Sequence, residues 1–319
     1  MQLQKELEGV TTVAIAGHIR PDGDSVGACI GLWTYINDNY PQVEADMWLE
    51  KPDEKFSTIK GFSELREPDG EEREYDLFIA VDCAALDRLG KAQPAFEKAG
   101  KTLCIDHHVS NKGYALTNII DGDASSACEV ICRLLDMEKI SRDAASALYM
   151  GIAHDTGVFQ YSCTSPDTMR LAAALMEKQI PYTDILEETF YKKTYRQNQV
   201  LGKALLESMR LLDGKCIVSV MRQKDMDFFG VTTTDLDGIV SQMKQTEGIE
   251  VAIFLYETDY MEYKVSLRSE KIVDVSKVAS YFGGGGHVRA AGVTMKGTFH
   301  DIVNNLTLHI ERQLEGQED

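Results

Sequence analysis

The sequence predicts an α/β protein of two domains, with a mainly parallel sheet flanked by helices in the first and a smaller α/β arrangement in the second. Three observations lead to this prediction. The 319 residues are more than one ordinary core accommodates. Short apolar runs alternate with helical patterns through the first half of the chain. A second group of strand-like segments begins after residue 210.

The first half contains strand-like apolar runs that are separated by helical segments. Strands joined through helices are parallel, because a crossover connection returns the chain to the same edge of the sheet. The first helix is indicated by Val26, Ile30, Trp33 and Ile36, which recur at helical spacing. The predicted strands cover residues 11–17, 43–49, 76–82 and 101–106, and later helices cover residues 126–135, 142–153, 166–178, 182–191 and 195–209.

The second half returns to strand-like alternation, interrupted by helical patterns. The predicted strands are residues 215–221, 250–257 and 262–269, and the predicted helices are residues 234–245, 273–282 and 302–314. We therefore place one domain at residues 1–190, a connecting helix within residues 191–212 and a second domain at residues 213–319. A cleft is expected between the two domains.

Charge and hydropathy argue against several functional classes. The formal net charge of −18 disfavours binding to long nucleic acid, which needs a basic surface. The first residues are charged where a signal peptide would be apolar, and no apolar run approaches membrane length. We expect a cytoplasmic protein without a membrane partner. The seven cysteines include no CxxC pair, so neither a disulfide framework nor a thiolate zinc site is expected. Cys128 and Cys132 are interpreted as buried residues on one helical face.

Acidic and histidine residues cluster where predicted elements end. Open parallel sheets bind ligands at the carboxyl ends of their strands, so side chains at these ends meet at one edge. Three clusters follow the first, third and fourth strands, and the last closes a helix that packs on the sheet. In chain order the clusters are His18 with Asp22 and Asp24; Asp82; Asp106 with His107 and His108; and His154 with Asp155.

So many carboxylates at one edge would repel one another, and divalent cations relieve that repulsion. Oxygen and imidazole ligands without thiolate suit Mn²⁺, whereas Mg²⁺ is less naturally bound by histidine. Asp22 and Asp24 flank Gly23, so a tight loop can point both carboxylates at neighbouring positions, within reach of His18. Asp82, at a strand end, is placed to bridge two ions. Two cations can clamp a phosphoryl oxygen and activate a shared water, which suits phosphoester hydrolysis.

Each cluster taken alone also has a structural interpretation. Pro21 to Asp24 is first of all a turn, and Asp82 could cap a helix. His154 with Asp155 could be a helix end, where a histidine is electrostatically favoured. Several such coincidences at successive element ends of one chain are less probable than one shared site.

The spacing of these residues resembles the motifs of the DHH phosphoesterase superfamily. The matching segments are His18-x3-Asp22-x-Asp24-Ser25, Val81-Asp82, Asp106-His107-His108 and Asp155-Thr156-Gly157. The segment from Gly283 to Gly292, a glycine run followed by His287, resembles the signature of the DHH-associated domain. Pyrophosphatases of the superfamily carry a different C-terminal domain without this run. Chain length and the domain pair most resemble the branch of nanoRNases and 3′-phosphoadenosine-5′-phosphate (pAp) phosphatases.

The resemblance implies two Mn²⁺ ions per chain, with Mg²⁺ or Co²⁺ as substitutes. One ion would be held by His18, Asp22 and Asp82, and the other by Asp24, Asp82, His107 and Asp155. Asp82 would therefore bridge the ions and take part in catalysis. His108 would contact the substrate phosphate and assist protonation of the leaving group, and Asp106 would orient an imidazole.

In the second domain the resemblance implies contacts to a substrate phosphate or base. Glycines let a backbone approach a ligand closely, and arginine suits recognition of phosphate. The alternative for the glycine run is a flexible connection, and the alternative for the arginine is a solvated surface charge. The implied contacts are Arg268, Gly284, Gly285, Gly286 and His287, with Arg289 as a weaker candidate.

The sequence departs from the usual family pattern at Ala28 and at His154. Ala28 stands where a serine is common and is expected to affect helix packing only. His154 stands where a small or hydroxyl residue is more typical. It is interpreted as a helix end or a substrate contact in preference to an extra ligand.

The expected activity is exonucleolytic hydrolysis of short oligoribonucleotides, and hydrolysis of pAp to AMP, with the substrate in the cleft between the domains. Cleavage of cyclic di-AMP or linear di-adenylate is the alternative with the same chemistry. A non-catalytic nucleotide sensor is a rival of another class, although no ligand position is lost. A dehydrogenase-like dinucleotide binder has little support, because no GxGxxG follows the first strand. The assembly is left open, with a homodimer as one form.

Overall fold

The computed structural model describes residues 2–70 and 74–316 of the chain. It divides into two compact units, Met1–Lys192 and Lys193–Asp319. Each unit has its own apolar core. Across the described residues, none of the helices combines the length and the apolar character that crossing a bilayer requires.

The first unit is built on a five-stranded sheet in which every neighbouring pair is parallel. The strand order is β2-β1-β3-β4-β5, so the first strand is internal, β2 lies on one side of it, and β3, β4 and β5 follow on the other side. The strands are β1 (Thr12–Ala16), β2 (Glu44–Trp48), β3 (Leu77–Val81), β4 (Lys101–Asp106) and β5 (Thr117–Ile120). β3 is buried along its whole length, as a strand covered on both faces must be.

Helices accompany this sheet and carry several of the predicted site residues. They are α1 (Gln2–Glu6), α2 (Gly23–Asn39), α3 (Gln93–Lys98), α4 (Ala127–Leu134), α5 (Arg142–Asp155), α6 (Pro166–Met176) and α7 (Tyr182–Leu186). α2 begins after Asp22 because that side chain accepts hydrogen bonds from the amides of Asp24 and Ser25, at 3.0 and 3.1 Å.

Glycines bring α2 and α5 unusually close together. A Cβ on Gly27 of α2 would lie 2.5 Å from the carbonyl oxygen of Ala147 on α5. A Cβ on Gly151 of α5 would lie 2.8 Å from a carboxylate oxygen of Asp24. Side chains at these positions would push the helices apart. The close packing therefore brings the start of α2 next to the last turns of α5, which end at Asp155.

The parallel sheet flanked by helices confirms the predicted fold class of the first unit, with local differences. β5 was not predicted, because it is a short strand at the edge of the sheet with no fully buried residue. The predicted helix 182–191 is α7 followed by one π-helical turn, Glu187–Tyr191. Cys128 and Cys132 are buried, as expected.

The second unit contains a six-stranded mixed sheet in the order β10-β11-β9-β8-β7-β6. The pair β7 and β8 is parallel, and the other neighbouring pairs are antiparallel. The strands are β6 (Met209–Leu211), β7 (Cys216–Met221), β8 (Val251–Asp259), β9 (Glu262–Ser269), β10 (Gly285–His287) and β11 (Ala290–Lys296). The helices are α8 (Tyr195–Leu206), α9 (Gln223–Phe229), α10 (Ile239–Lys244), α11 (Val275–Tyr281) and α12 (Phe299–Leu314).

Two predicted helices of this half differ from the structure. The helix expected at residues 195–209 ends at Leu206, and residues 209–211 form strand β6. α8 belongs to the second unit, because Val200 and Ala204 are buried in a core with residues of β7 and α10. The helix expected at 234–245 is divided at Gly238, whose φ of +87° starts a new helix, α10.

Candidate metal centre

Asp82 lies at the middle of the predicted ligand cluster. It directly follows β3, is 2% exposed and has a φ of +52°, a left-handed conformation that is strained for a residue with a side chain. Its Oδ2 lies 3.4 Å from Nε2 of His18, and its Oδ1 lies 3.5 Å from Nε2 of His107. The two oxygens of one carboxylate therefore face two different histidines. This is the orientation that a bridging ligand requires.

His18 and Asp22 complete one side of the cluster. Nε2 of His18 lies 3.6 Å from Oδ2 of Asp22, while the other oxygen of Asp22 caps α2. Nδ1 of His18 lies 2.8 Å from the carbonyl oxygen of Ile19. A proton on Nδ1 donated to this carbonyl leaves the lone pair of Nε2 free for an ion.

Asp24, His107 and Asp155 form the other side. Nε2 of His107 lies 3.2 Å from Oδ2 of Asp155 and 4.0 Å from Oδ2 of Asp24. Asp24 is 1% exposed, and its position in the first turn of α2 faces the last turn of α5. The helix packing thus brings a residue early in the chain against one that follows more than a hundred positions later.

The donor set fits a pair of divalent ions. Potential ligand atoms of His18, Asp22 and Asp82 lie within 4.8 Å of one another, and the same holds for Asp24, His107 and Asp155. Carboxylate oxygen and imidazole nitrogen suit Mn²⁺ and related divalent ions, and neither group contains a thiolate. The structure therefore brings together every residue that the sequence predicted as a ligand.

Proton affinities in the centre show the effect of crowded negative charge. Burial alone would lower the pKa of His18, but hydrogen bonds to Asp22 and Asp82 outweigh it and raise the pKa to about 10. Burial also opposes protonation of His107, and the surrounding carboxylates raise its pKa to about 10. Burial, together with the charge of Asp82, raises the pKa of Asp24 to about 7. The protons here occupy positions where cations would relieve the same repulsion.

His108 is oriented by a buried carboxylate. Its Nδ1 lies 2.8 Å from Oδ1 of Asp106, whose side chain is fully buried. The hydrogen bond to Asp106 is the main reason that the pKa of His108 is raised. Nδ2 of Asn111 donates to the other oxygen of Asp106 at 2.6 Å and to the carbonyl oxygen of Cys83 at 3.1 Å. The imidazole is therefore held by Nδ1, and Nε2 can face a substrate.

His154 is packed between aromatic rings. Its ring centroid lies 5.3 Å from that of Phe56 and 5.3 Å from that of Phe190. Nε2 lies 3.0 Å from Oγ1 of Thr189, whose own proton is donated to a backbone carbonyl, so Nε2 is the donor. A Cβ on Gly23 would lie 2.2 Å from the imidazole of His154. The ring, at the end of α5, thus packs against Gly23, which separates Asp22 from Asp24 and is the first residue of α2 instead of part of the expected loop.

In the second unit, Arg268 and His287 lie on the same face of the mixed sheet. Arg268 on β9 is paired with Ala290 on β11, and Ala290 is paired with His287 on β10. Directly paired residues point to the same face of a sheet, so the small alanine lies between the two larger side chains. His287 is exposed, and Arg268 is half-buried with Nη1 donating to the carbonyl oxygen of Leu267.

Gly284, which precedes β10, and the two glycines within β10 differ in whether their surroundings leave room for a side chain. A Cβ on Gly284 would lie 2.3 Å from the carbonyl oxygen of Gly292, and one on Gly286 would lie 2.4 Å from that of Ala290. Close packing on β11 therefore requires glycine at both positions. Gly285 has an ordinary φ, and a Cβ there would contact nothing within 4 Å. Neither packing nor backbone conformation explains a glycine at this exposed position.

Arg289, the weaker binding candidate from the sequence, makes structural contacts, and its binding role stays a prediction. Its Nη1 donates to the carbonyl oxygen of Val273 at 2.9 Å, and its Nη2 donates to that of Lys271. The buried carboxylate of Glu250 accepts hydrogen bonds from the amides of the same short loop. The guanidinium therefore holds the connection between β9 and α11.

Two residues that contact predicted site residues were not expected from the sequence. Asn111 orients Asp106, and Nη2 of Arg88 lies 3.2 Å from Nδ1 of His18. Neither has a periodic or motif-like signal that could have revealed it. Asn111 lies in the loop after β4, and Arg88 lies in a 3₁₀ segment after β3.

Comparison with known protein families agrees with this geometry. A family model described as the DHH family, N-terminal domain, matches residues 12–152, and a model of the DHHA1 domain matches residues 213–314. The chain contains a DHH N-terminal domain followed by a DHHA1 domain. The DHH model extends over the sheet of the first unit and most of the metal centre, and the DHHA1 model extends over the strands that carry Arg268 and His287.

Curated relatives match the chain along most of its length. It is 28% identical over 300 residues to a probable bifunctional oligoribonuclease and PAP phosphatase, NrnA, of Streptococcus mutans, covering 90% of each chain. It is 25% identical over 314 residues to the bifunctional oligoribonuclease and PAP phosphatase NrnA of Thermus thermophilus, covering 98% of this chain and 92% of the relative. These relatives confirm the class predicted from the sequence, a metal-dependent phosphoesterase.

Solved structures share the fold of the chain. An exopolyphosphatase-related protein from Bacteroides fragilis superposes with a TM-score of 0.89 at 22% identity, covering 99% of this chain and 97% of the other. RecJ of Thermus thermophilus in complex with Mn²⁺ superposes with a TM-score of 0.51 at 12% identity, covering 100% of this chain and 54% of RecJ. At 22% and 12% sequence identity, these superpositions show a shared fold and carry no statement about activity.

Proposed function

We propose that the protein is a two-metal phosphoesterase that removes mononucleotides from very short oligoribonucleotides and converts pAp to AMP. The orientation of Asp82 carries this proposal, because its two oxygens face the separate histidines of two ligand groups. The relatives named as oligoribonuclease and PAP phosphatase support the choice of substrates. The net charge of −18 agrees with small phosphorylated ligands in preference to long strands.

Different residues of the first unit would bind the metal ions and donate a proton. His18, Asp22 and Asp82 would hold one divalent ion, and the second would be held by Asp24, Asp82, His107 and Asp155. Bound Mn²⁺ would supply Lewis-acid polarisation of the phosphoryl group and an activated water. His108, fixed by Asp106, would donate a proton from Nε2 to the leaving oxygen.

Recognition of the nucleotide is assigned to the mixed sheet of the second unit. Arg268 would bind a phosphate through its planar group of donors, and His287 on the same sheet face would contact the phosphate or base. Gly285 leaves space in which a ligand can approach the backbone of β10. Binding at one end of the substrate would explain a preference for very short chains.

The test is a panel of substrates incubated with chelator-treated protein. A diribonucleotide, a 5′-labelled trinucleotide, pAp and cyclic di-AMP are followed by time-resolved chromatography, with Mn²⁺, Mg²⁺, Co²⁺ or chelator. We expect mononucleotides and AMP with Mn²⁺ and no turnover with chelator. The labelled trinucleotide shows from which end residues are removed. Faster cleavage of cyclic di-AMP than of the diribonucleotide would contradict the proposed substrate.

Two variants separate the chemistry from general damage to the fold. Asp82→Asn removes the bridging charge and should lower kcat by more than about 100-fold, because even residues that only support metal ligands cost 10–100-fold. Asp46→Asn is the matched control. Asp46 is also buried in the first unit, where it accepts a hydrogen bond from Tyr75 at 2.8 Å and pairs with Arg66 at 3.3 Å. Full activity of Asp82→Asn would rule out the bridging role.

A further inference from the structure

The start of helix α4 forms a binding surface for the carboxylate of Asp24. The amide of Ala127 donates to Oδ2 at 2.6 Å, and the amide of Cys128 donates to Oδ1 at 3.0 Å. These are the first amides of α4, which have no partner inside the helix. On the opposite side, a Cβ on Gly151 would lie 2.8 Å from Oδ1. Asp24 is therefore fixed in a slot that is shaped by α4 and α5.

The start of α4 is itself held by the buried side chain of Glu129. Glu129 is 1% exposed, and its Oε2 accepts hydrogen bonds from the amide of Ser125 at 3.1 Å and from its hydroxyl at 2.5 Å. Oγ1 of Thr168, in the first turn of α6, donates to the same oxygen at 2.8 Å. The guanidinium of Arg133 binds the other oxygen, Oε1. One carboxylate thus ties α4 to α6 and to the preceding loop.

All the partners of Glu129 are donors, so this position needs a group that only accepts. An ionised carboxylate meets that need, whereas a neutral amide must present N–H donors to other donors. Burial makes such a mismatch costly, because water cannot replace the missing partners. The start of α4 is therefore held by the charge and shape of this side chain, together with the hydroxyl of Ser126, which caps the helix by accepting from the amide of Glu129 at 3.0 Å.

We infer that Glu129 is a positioning residue for Asp24 and sets the affinity of the ion site that Asp24 shares with His107 and Asp155. This inference rests on the proposed function, which makes Asp24 a ligand. Each oxygen of Asp24 accepts from one amide of α4 and retains a second lone pair for an ion. A displaced α4 would move both oxygens together and change their positions relative to His107.

The effect should be confined to one of the two ions. His18 is oriented by the carbonyl oxygen of Ile19, and Asp22 is held by the amides at the start of α2. Neither of these contacts involves α4 or Glu129. The loss of Glu129 should therefore weaken one class of sites and leave the class formed with His18 and Asp22 at its parental affinity.

The experiment is a calorimetric titration of Mn²⁺ into the metal-free full-length protein, with Glu129→Gln compared to the parent. We expect the parent to bind two ions and Glu129→Gln to bind one normally and one about 10- to 100-fold more weakly, as for other residues that support ligands. kcat should fall at limiting Mn²⁺ and recover at saturating Mn²⁺, while KM for a diribonucleotide stays unchanged. The titration of Glu129→Gln should resemble that of Asp24→Asn and not that of His18→Gln.

Controls keep the outcomes distinct. Asp46→Asn removes another buried carboxylate of the same unit and should bind both ions with parental affinity. Ser125→Ala removes one donor to Glu129 and provides a milder change if Glu129→Gln does not fold. A parent protein that binds no divalent ion refutes the proposed function. A parent that binds two ions, with variants at Glu129 and Ser125 that bind both equally well, refutes the positioning role alone.

Discussion

Binding of divalent ions to the metal centre should release protons, because the metal-free centre holds protons that ions must replace. Burial opposes protonation of His18 and His107, yet the carboxylates around them raise both pKa values to about 10. Imidazole binds a metal ion only in its neutral form. Titrations with Mn²⁺ at two different pH values therefore test whether these protons are released.

The expected number of protons follows from these pKa values. At pH 7 a histidine with a pKa of about 10 is almost fully protonated, so each of His18 and His107 should release about one proton. Burial and the neighbouring carboxylates raise the pKa of both Asp24 and Asp155, so protons on these carboxyl groups add to the release. Release of about two protons or more means that the overall binding constant rises about a hundredfold or more per pH unit.

The assay is calorimetry at pH 7 and pH 8 in pairs of buffers with different enthalpies of ionisation. The difference in apparent enthalpy between buffers gives the number of protons released. His18→Gln should reduce that number by about one, because it removes one of the two protonated imidazoles. If the parent releases fewer than about one proton at pH 7, His18 and His107 are not both protonated in the metal-free protein, and the reasoning is refuted.

The same shifts fix the sign of the pH dependence of folding. A histidine whose folded pKa is raised above its unfolded value stabilises the fold fully below that unfolded value, and the contribution is lost as the pH rises. For His18 and His107 the loss extends from the ordinary value of 6.5 to about 10. The free energy of unfolding of the metal-free protein should therefore fall between pH 7 and pH 9. Mn²⁺ should abolish or reverse this fall.

Three further predictions concern positions near the proposed site. Gly285→Ala should leave the free energy of unfolding within about 0.5 kcal/mol of the parent and raise KM for a diribonucleotide. Gly284→Ala should lower the free energy of unfolding by about 1–3 kcal/mol, because its Cβ would lie 2.3 Å from a carbonyl oxygen. His154→Phe, which keeps an aromatic ring but loses the bond to Thr189, should lower the same free energy by about 1 kcal/mol and leave Mn²⁺ affinity unchanged by calorimetry; tenfold weaker binding would instead indicate a ligand. Asp106→Asn should lower kcat by about 100-fold or more with little change in KM in steady-state kinetics, because His108 loses its negatively charged acceptor.

The sequence was sufficient to predict elements whose burial pattern is regular. β1, β3 and β4 are buried along all but at most their first residue, and each lies within two residues of its predicted bounds. β10 was not predicted, because it consists of two glycines and a histidine, and its pairing depends on close contact with β11. The strand order was also beyond the sequence, since periodicity locates a strand but does not identify its neighbours.

The predicted ligands converge because most of them follow the carboxyl ends of adjacent parallel strands. Residues that support the ligands were less predictable. Glu129 contacts Thr168 across 39 positions, and Asn111 contacts the carbonyl oxygen of Cys83 across 28. Nothing in the local pattern distinguishes a glutamate or asparagine that is buried by distant elements from one on the surface.

The structural and functional interpretations of the acidic clusters turn out to be compatible. Asp22 caps α2 through one oxygen and faces His18 through the other. Asp155 ends α5 and lies 3.2 Å from His107. Asp24 accepts two amides of α4 and still faces the centre. Helix ends offer unpaired amides that hold a carboxylate in place while leaving lone pairs for an ion. A residue that the sequence predicts to cap a helix therefore remains an equally good candidate metal ligand, because the capping hydrogen bonds supply the rigidity that a metal site needs.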